Sequence, residues 1–598
     1  MSKYVRWQLL LTLLGVILVA ALLYTISQGK ELTVLPTSTP RPSPSPAVTV
    51  VQMRGGAYVE GVVGYAQLIN PLFSLFNDVD RDLCALIFEG LTVVSERGEI
   101  EPRLAERWSV SDDGRIYTFY LRDDVRWQDG EPFTAADVAF TIGLLQSPDF
   151  PVSHAYANLW RSVAVEVVDP HTVRFVLNEP YAPFIDYTTL GLIPQHILGT
   201  VPVAGLLTHP FNVAPVGTGL FRLVELDQAH ALLETNPHHS LWRETMLDRV
   251  ELRFYNTDAD VLAAYQSGEV MGIGRILLQD MDRARAEPDL QLYSARQSGY
   301  GLIFFNLQSV DKPFLQDRRV RQALAYALDR QSLIDAALGG QGAAIYSPIM
   351  PQSWAYKADV ERYDRDLGAA ASLLDQAGYT LPDSTRVRVG DVGSQQAAVR
   401  AKNGQLLEFT LLTDTASEHV ALANALATQW AAAGARVLIQ SVDLSTLAVA
   451  HLQPRRFDAV LLEWAWQLDP DPYPLWHETQ IESPGQNYSG FENRDASEAI
   501  EVARQLTDRS QRKPLYDLFQ DIFDQEVPAI LLYQPIYTFG VDKQVRDVQI
   551  SPLFDPSDRF RNIWQWAPLE KEVLLRDLND QVDDTLDRQL DLWYDSGR

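Results

Sequence analysis

The chain has 598 residues, 46% of them apolar, enough to bury more than one core and to predict two or more large lobes. Its 50 basic and 78 acidic residues give a formal charge of −28, which excludes nucleic acid as a partner, because phosphate binding needs a basic footprint. The single cysteine, Cys84, excludes an intramolecular disulfide and leaves the redox compartment open; its neighbours Leu83, Leu86 and Ile87 predict a buried helical thiol.

In chain order, Lys3 and Arg6 precede an uncharged stretch from Trp7 to Gly29. That length spans a bilayer at about 1.5 Å per residue, and the flanking charge places the N-terminus in the cytoplasm and the rest outside. Leu22, Leu23, Tyr24 and Thr25 make a poor cleavage site, which favours an uncleaved signal anchor over a cleaved signal peptide. No cysteine follows the apolar run, so lipoprotein processing is not expected. Residues 36–46 alternate proline with serine, threonine and arginine, a composition for an extended spacer rather than a core. The folded region is expected to begin near Val50.

Arg115–Arg122 reads as a strand from its aromatic and β-branched residues. Thr134 to Asp137 reads as a capping box that opens a helix with Val138, Ile142 and Leu145 on one face. Val163–Val168 and Thr172–Leu177 flank an Asp169-Pro170 turn and predict a hairpin; Leu220–Glu225 predicts a further strand. Leu407–Leu412, Ser417–Ala433 and Val437–Val442 predict a parallel strand–helix–strand crossover, with Gly434 as the helix C-cap. A strand over Phe457–Trp464 ends in a loop where Pro470, Pro472 and Pro474 alternate, against helix and central strand alike. Ligands of open α/β sheets bind outside the carboxyl ends of strands, so Trp464, Trp466, Asp469 and Asp471 are candidate binding residues, against the plainer reading of a shaped turn with core tryptophans.

Motifs for chemistry are missing. There is no phosphate-binding glycine loop, no nucleophile elbow, no His-Glu-x-x-His and no Cys-x-x-Cys. His238 and His239 are adjacent and read as a surface loop rather than a metal site. Asp469 and Asp471 could imitate a glycosidase pair, but closeness in sequence does not set carboxylate separation. No cofactor, metal or catalytic residue is assigned.

Several runs together resemble a known family. They are Leu104-Ala-Glu-Arg-Trp-Ser-Val-Ser-Asp-Asp-Gly114, Tyr117 to Arg122, Val125 to Val138, Asn70 to Ser74, Phe88 to Leu91, Pro215 to Gly219, Tyr265 to Val270 and Asp317 to Arg330. In this order they resemble the extracellular solute-binding proteins of family 5, the dipeptide-, oligopeptide- and nickel-binding proteins of ABC importers. The resemblance runs from about Gly55 to Val548.

It implies an α/β, bilobal periplasmic-binding-protein-like fold of the cluster C type, here with an N-terminal transmembrane helix. The first lobe would comprise residues 52–302 and 536–569, the second 303–535, with crossings at Tyr300–Asn306 and Val527–Gln534. It also implies capture of a peptide or other small solute and delivery to permease and ATPase subunits at the extracytoplasmic face of the membrane. In peptide-binding relatives an aspartate three residues after the tryptophan matching Trp464 pairs with the ligand amine; that position here is Gln467, and a slip of two residues would bring Asp469 there. The expected ligand-binding set is Tyr65, Trp464, Trp466, Gln467, Asp469 and Asp471. Nickel chelates, opines and sugars stand as alternative solutes, and a tethered ligand sensor as an alternative role. An enzyme is not expected. Beyond the resemblance, Leu578, Val582, Leu586 and Leu590 predict an amphipathic acidic tail helix over 570–598.

Overall fold

The computed structural model describes residues 55–151, 155–242, 247–381, 398–466 and 468–568. The apolar span Trp7–Gly29, the proline-rich spacer, Gln467 and the expected tail helix lie outside them. Among the described residues no helix is long and apolar enough to cross a membrane.

The elements used below are, in order, β1 (Ala57–Val63), α1 (Asp78–Ile87), β2 (Ala105–Val110), β3 (Ile116–Leu121), α2 (Ala135–Gln146), β4 (Val163–Asp169), β5 (Thr172–Leu177), β6 (Phe221–Leu226), β7 (His230–Thr235), β8 (Arg249–Tyr255), β9 (Gly272–Ile273), β10 (Leu290–Arg296), β11 (Gly299–Phe305), β12 (Gly342–Ala344), β13 (Glu408–Thr413), α3 (Ser417–Ala433), β14 (Arg436–Ser441), β15 (Ala459–Ala465), α4 (Arg494–Gln505), α5 (Arg509–Glu526) and β16 (Ala529–Asp542). One sheet runs through the molecule in the order β14-β13-β15-β11-β16-β9-β1-β8-β7-β6, with β10 and β12 also on β16. A separate antiparallel sheet has the order β2-β3-β5-β4.

Local sequence explains these elements. In β3 alternate residues are buried, and Tyr117, Phe119 and Leu121 face the core, where Phe119 meets Phe175 edge-on at 5.6 Å. The α2 helix opens with Thr134, whose amide donates to Asp137 at 2.9 Å, and it buries Val138, Ile142 and Leu145. Cys84 is buried in α1, and desolvation pushes its thiol pKa up. Strands β13 and β14 run parallel on either side of the α3 crossover. Gly434 ends α3 at φ +88°, the left-handed conformation that a glycine adopts without strain.

The buried side chains divide into two bodies within an α/β, bilobal architecture. One core draws on residues 58–295 and 537–566, the other on residues 300–533. Two adjacent strands join them. The second half of β16 pairs with β10, from Arg296↔Ile536 to Leu290↔Asp542, and its first half pairs with β11, from Gly301↔Tyr533 to Phe304↔Ala529. In the gap the Gln297 amide donates to the Pro535 carbonyl at 2.9 Å, and the Gln534 side-chain amide donates to the Gln297 carbonyl at 3.0 Å. Gly299 follows at φ +146°, where an added Cβ would stand 2.6 Å from the Trp464 carbonyl oxygen.

After β16 the chain returns to the first body, where Arg559 is clamped between two carboxylates. It donates to Asp82 at 2.7 and 2.6 Å and to Glu60 at 3.0 and 2.6 Å. All three side chains are buried. Burial pushes Asp82 up to about 6 against the opposing pull of Arg559. Replacing Arg559 by Ala leaves two carboxylates unpaired in the core. Chemical unfolding should show a loss of about 3–5 kcal/mol; a loss within the range of an exposed pair, below about 1 kcal/mol, would mean that water already reaches the triad.

Candidate functional site

Strand β15 delivers its C-terminal end to the space between the two bodies. Beyond Ala465 the chain leaves the sheet through Trp466 and Leu468 and enters the proline-shaped loop. Tyr473–Trp476 then forms one helical turn, which Pro474 tolerates because it lies in the first turn.

The two loop carboxylates are already occupied. Asp469 takes Arg512 through both oxygens, at 2.6 and 2.7 Å, and Arg512 also donates to the Tyr516 hydroxyl at 2.6 Å. Burial lowers the Arg512 pKa, but the charge of Asp469 more than reverses that. Asp471 pairs with Arg504 at 3.1 Å and accepts the Tyr473 amide at 3.1 Å. Arg504 lies 3.8 Å from the Tyr473 ring and 4.9 Å from the Tyr181 ring of the first body. Guanidinium groups on α4 and α5 thus hold this loop, and neither aspartate presents the free carboxylate expected from sequence.

A third carboxyl stands beside the loop. Asp186 sits in the 3-10 turn Ala182–Thr189 of the first body. One of its oxygens accepts the Asp469 amide at 2.5 Å, so the loop touches the first body here. Burial, then the negative charge of Asp469, pushes the Asp186 pKa well above the carboxylate range. Its one sequence signal is that it is the only charge between Tyr181 and Leu190.

Asp186, Tyr187, Phe88 and Trp564 of the first body and Trp466 and Leu468 of the second line one cavity of about 900 Å³. That is the size expected of a small-ligand site. A smaller cavity of about 210 Å³ holds no residue of the second body; its Asp82 and Arg559 already pair with each other. Of the other expected residues, Trp464 packs against Tyr488 at 5.9 Å and is not in the cavity wall. Trp466 rests against Tyr300 at 5.6 Å. Tyr65 is 60% exposed and stands outside the cavity. The histidine pair also differs from expectation: His238 is exposed, but His239 is buried. The Leu241 amide donates to His239 Nδ1, so Nε2 carries the proton that His239 shares with Glu89 at 3.1 Å. Although burial opposes it, Arg103 and His239 hold Glu89 down to about 2.

Near the carboxyl ends of β13 and β15 lies a polar chain. His419 Nδ1 is 2.8 Å from Asp414, His419 Nε2 is 3.7 Å from Glu463, and the Tyr533 hydroxyl donates to Glu463 at 2.6 Å. Burial lowers the His419 pKa, but the hydrogen bond and charge of Glu463 and the charge of Asp414 outweigh it and raise the imidazole to about 9. A raised folded value means that the stabilisation is complete below the unfolded pKa of about 6.5 and is lost as pH rises through about 9. Unfolding free energy should therefore fall between these two values, and His419→Gln should remove that component of the slope. A slope identical in the two proteins would refute it. The loop carries its own expectation. Asp469→Ala leaves Arg512 buried without a counter-charge and should cost about 3–5 kcal/mol of stability in the absence of solute, read by chemical unfolding; an unchanged midpoint would count against a structural role.

Residues 99–483 match the model of the bacterial extracellular solute-binding proteins, family 5 middle region. The oligopeptide-binding protein AppA of Bacillus subtilis is 27% identical over 522 residues, 86% of this chain and 92% of that protein. Protein XP55 of Streptomyces lividans is 30% identical over 493 residues, 80% of this chain and 82% of that protein. The solved structure of Bacillus subtilis AppA in complex with a nonapeptide superimposes with a TM-score of 0.66 at 26% identity, covering 87% of this chain and all of that one.

Proposed function

We propose that this chain, which belongs to the bacterial extracellular solute-binding proteins of family 5, captures an oligopeptide-like solute between its two bodies and delivers it to the permease of an ABC importer. The cavity of about 900 Å³ between the bodies carries the reading, because its size suits a small solute and its wall joins aromatic faces from both bodies with many charged and polar groups. Trp466 and Leu468 reach it from a loop held by two arginines, so little order remains to be gained on binding. The relatives named for oligopeptide binding support the choice of solute class. The chain's own chemistry is then recognition without turnover.

Opening would occur at the two-strand junction, where Gln297–Gly299 and Gln534–Pro535 interrupt the ladder and few backbone bonds must change. The apolar stretch Trp7–Gly29 would tether the protein to the membrane, and the proline-rich spacer would hold the bodies clear of it. The permease and ATPase subunits would be its partners, and the extracytoplasmic face its location.

Protein purified without refolding should carry peptides that mass spectrometry can identify, and titration calorimetry with those peptides should give saturable binding. Trp466→Ala should weaken it by about 2 kcal/mol, as for an aromatic anchor in a pocket. The melting temperature without solute should change little, because the ring is only partly buried. Absence of any peptide affinity in the wild type would overturn the proposal.

A further inference from the structure

We infer that Asp186 is the seat for a positively charged group of the solute, an ammonium or guanidinium, and that it selects cationic over neutral solutes. This rests on the receptor reading above and adds a specificity-determining residue to it.

The first support is position. Asp186 lines the inter-body cavity from the first body, opposite Trp466 and Leu468 of the second. The second is the state of its carboxyl. Its one hydrogen-bond donor among the described residues is the Asp469 amide, and no lysine, arginine or histidine forms an ion pair with it. Of the nearby arginines, Arg512 is held in a bidentate pair by Asp469, Arg504 is paired with Asp471, and Arg509, whose charge also acts on Asp186, is exposed to water and stands 3.9 Å from Glu99. The third is contrast with the other acids of the wall. Glu89 has Arg103, Asp555 has Arg81 and Asp558 has Arg561, while Glu96 and Glu101 are exposed to water. Among these wall acids Asp186 alone is half-buried and without an ion pair, an arrangement that costs free energy until a cation or a proton arrives. Its raised proton affinity is the sign of that deficit. A solute cation in the cavity would make a charge-assisted hydrogen bond with this carboxyl, and an uncharged solute would leave the deficit in place.

The test uses the full-length protein and three pools of random tri- to pentapeptides. One pool has free amino termini and no lysine or arginine, the second is the same pool N-acetylated, and the third is N-acetylated with one lysine per peptide. Retained peptides are quantified by mass spectrometry. At least one charged pool should be retained roughly tenfold or more over the neutral pool, and the identity of that pool tells an amino-terminal from a side-chain cation. Asp186→Asn should abolish the discrimination with little change in melting temperature, since asparagine still accepts the Asp469 amide. Equal retention of all pools by the wild type, or discrimination that persists in D186N, overturns the inference and leaves the receptor reading standing. Retention of no pool overturns the peptide reading and this assignment with it. The wild-type comparison decides the matter even if the variant fails to fold.

Discussion

Fourteen consecutive residues, Ala529–Asp542, form one strand that serves both cores, and the rest of the architecture is arranged around that constraint. Its first half lies beside β11 and β12 and its second half beside β9 and β10. Pro535 stands at the change of partner. A proline offers no amide to a ladder, so it fits where pairing is being handed from one strand to the next. Because the strand ends in the first body, the chain beyond it must be fastened there, and the Arg559 clamp on β1 and α1 does so.

A second pattern runs through the charges at the cleft. On the second body the two loop acids are each matched to an arginine, Asp469 to Arg512 and Asp471 to Arg504, and the matched pairs shape the loop. Asp186 on the facing turn has no such match. The same residue type thus has two uses a few ångströms apart. A carboxylate with a buried guanidinium is structural, and its removal is expected to cost stability. A carboxyl with only an amide is available to an incoming group.

Much of the fold was legible in the sequence because its signals are local. The Thr134–Asp137 cap, the crossover from Glu408 to Ser441 and the Gly434 terminus each depend on residues a few positions apart. Strand ends moved by one or two residues, as in β6 and β15. The site was legible only as a region. Sequence pointed to the loop after β15, yet it could not tell that Asp469 meets an arginine 43 positions later, or that Arg559 meets an acid 499 positions earlier. Such pairings depend on how distant elements pack. For the same reason two acids in a proline loop looked available, and a single aspartate in an uncharged run drew no notice.

Cys84 carries a consequence of its own. It is the chain's one thiol, it lies buried in α1, and desolvation keeps it protonated at neutral pH. The folded protein therefore presents no thiolate to oxidants, metals or a second copy of itself. No covalent bridge within the chain can lock the two bodies together or be lost on reduction. Thiol–disulfide chemistry is therefore silent in the folded protein, and reactive cysteines placed on its surface as distance probes would need no background mutation.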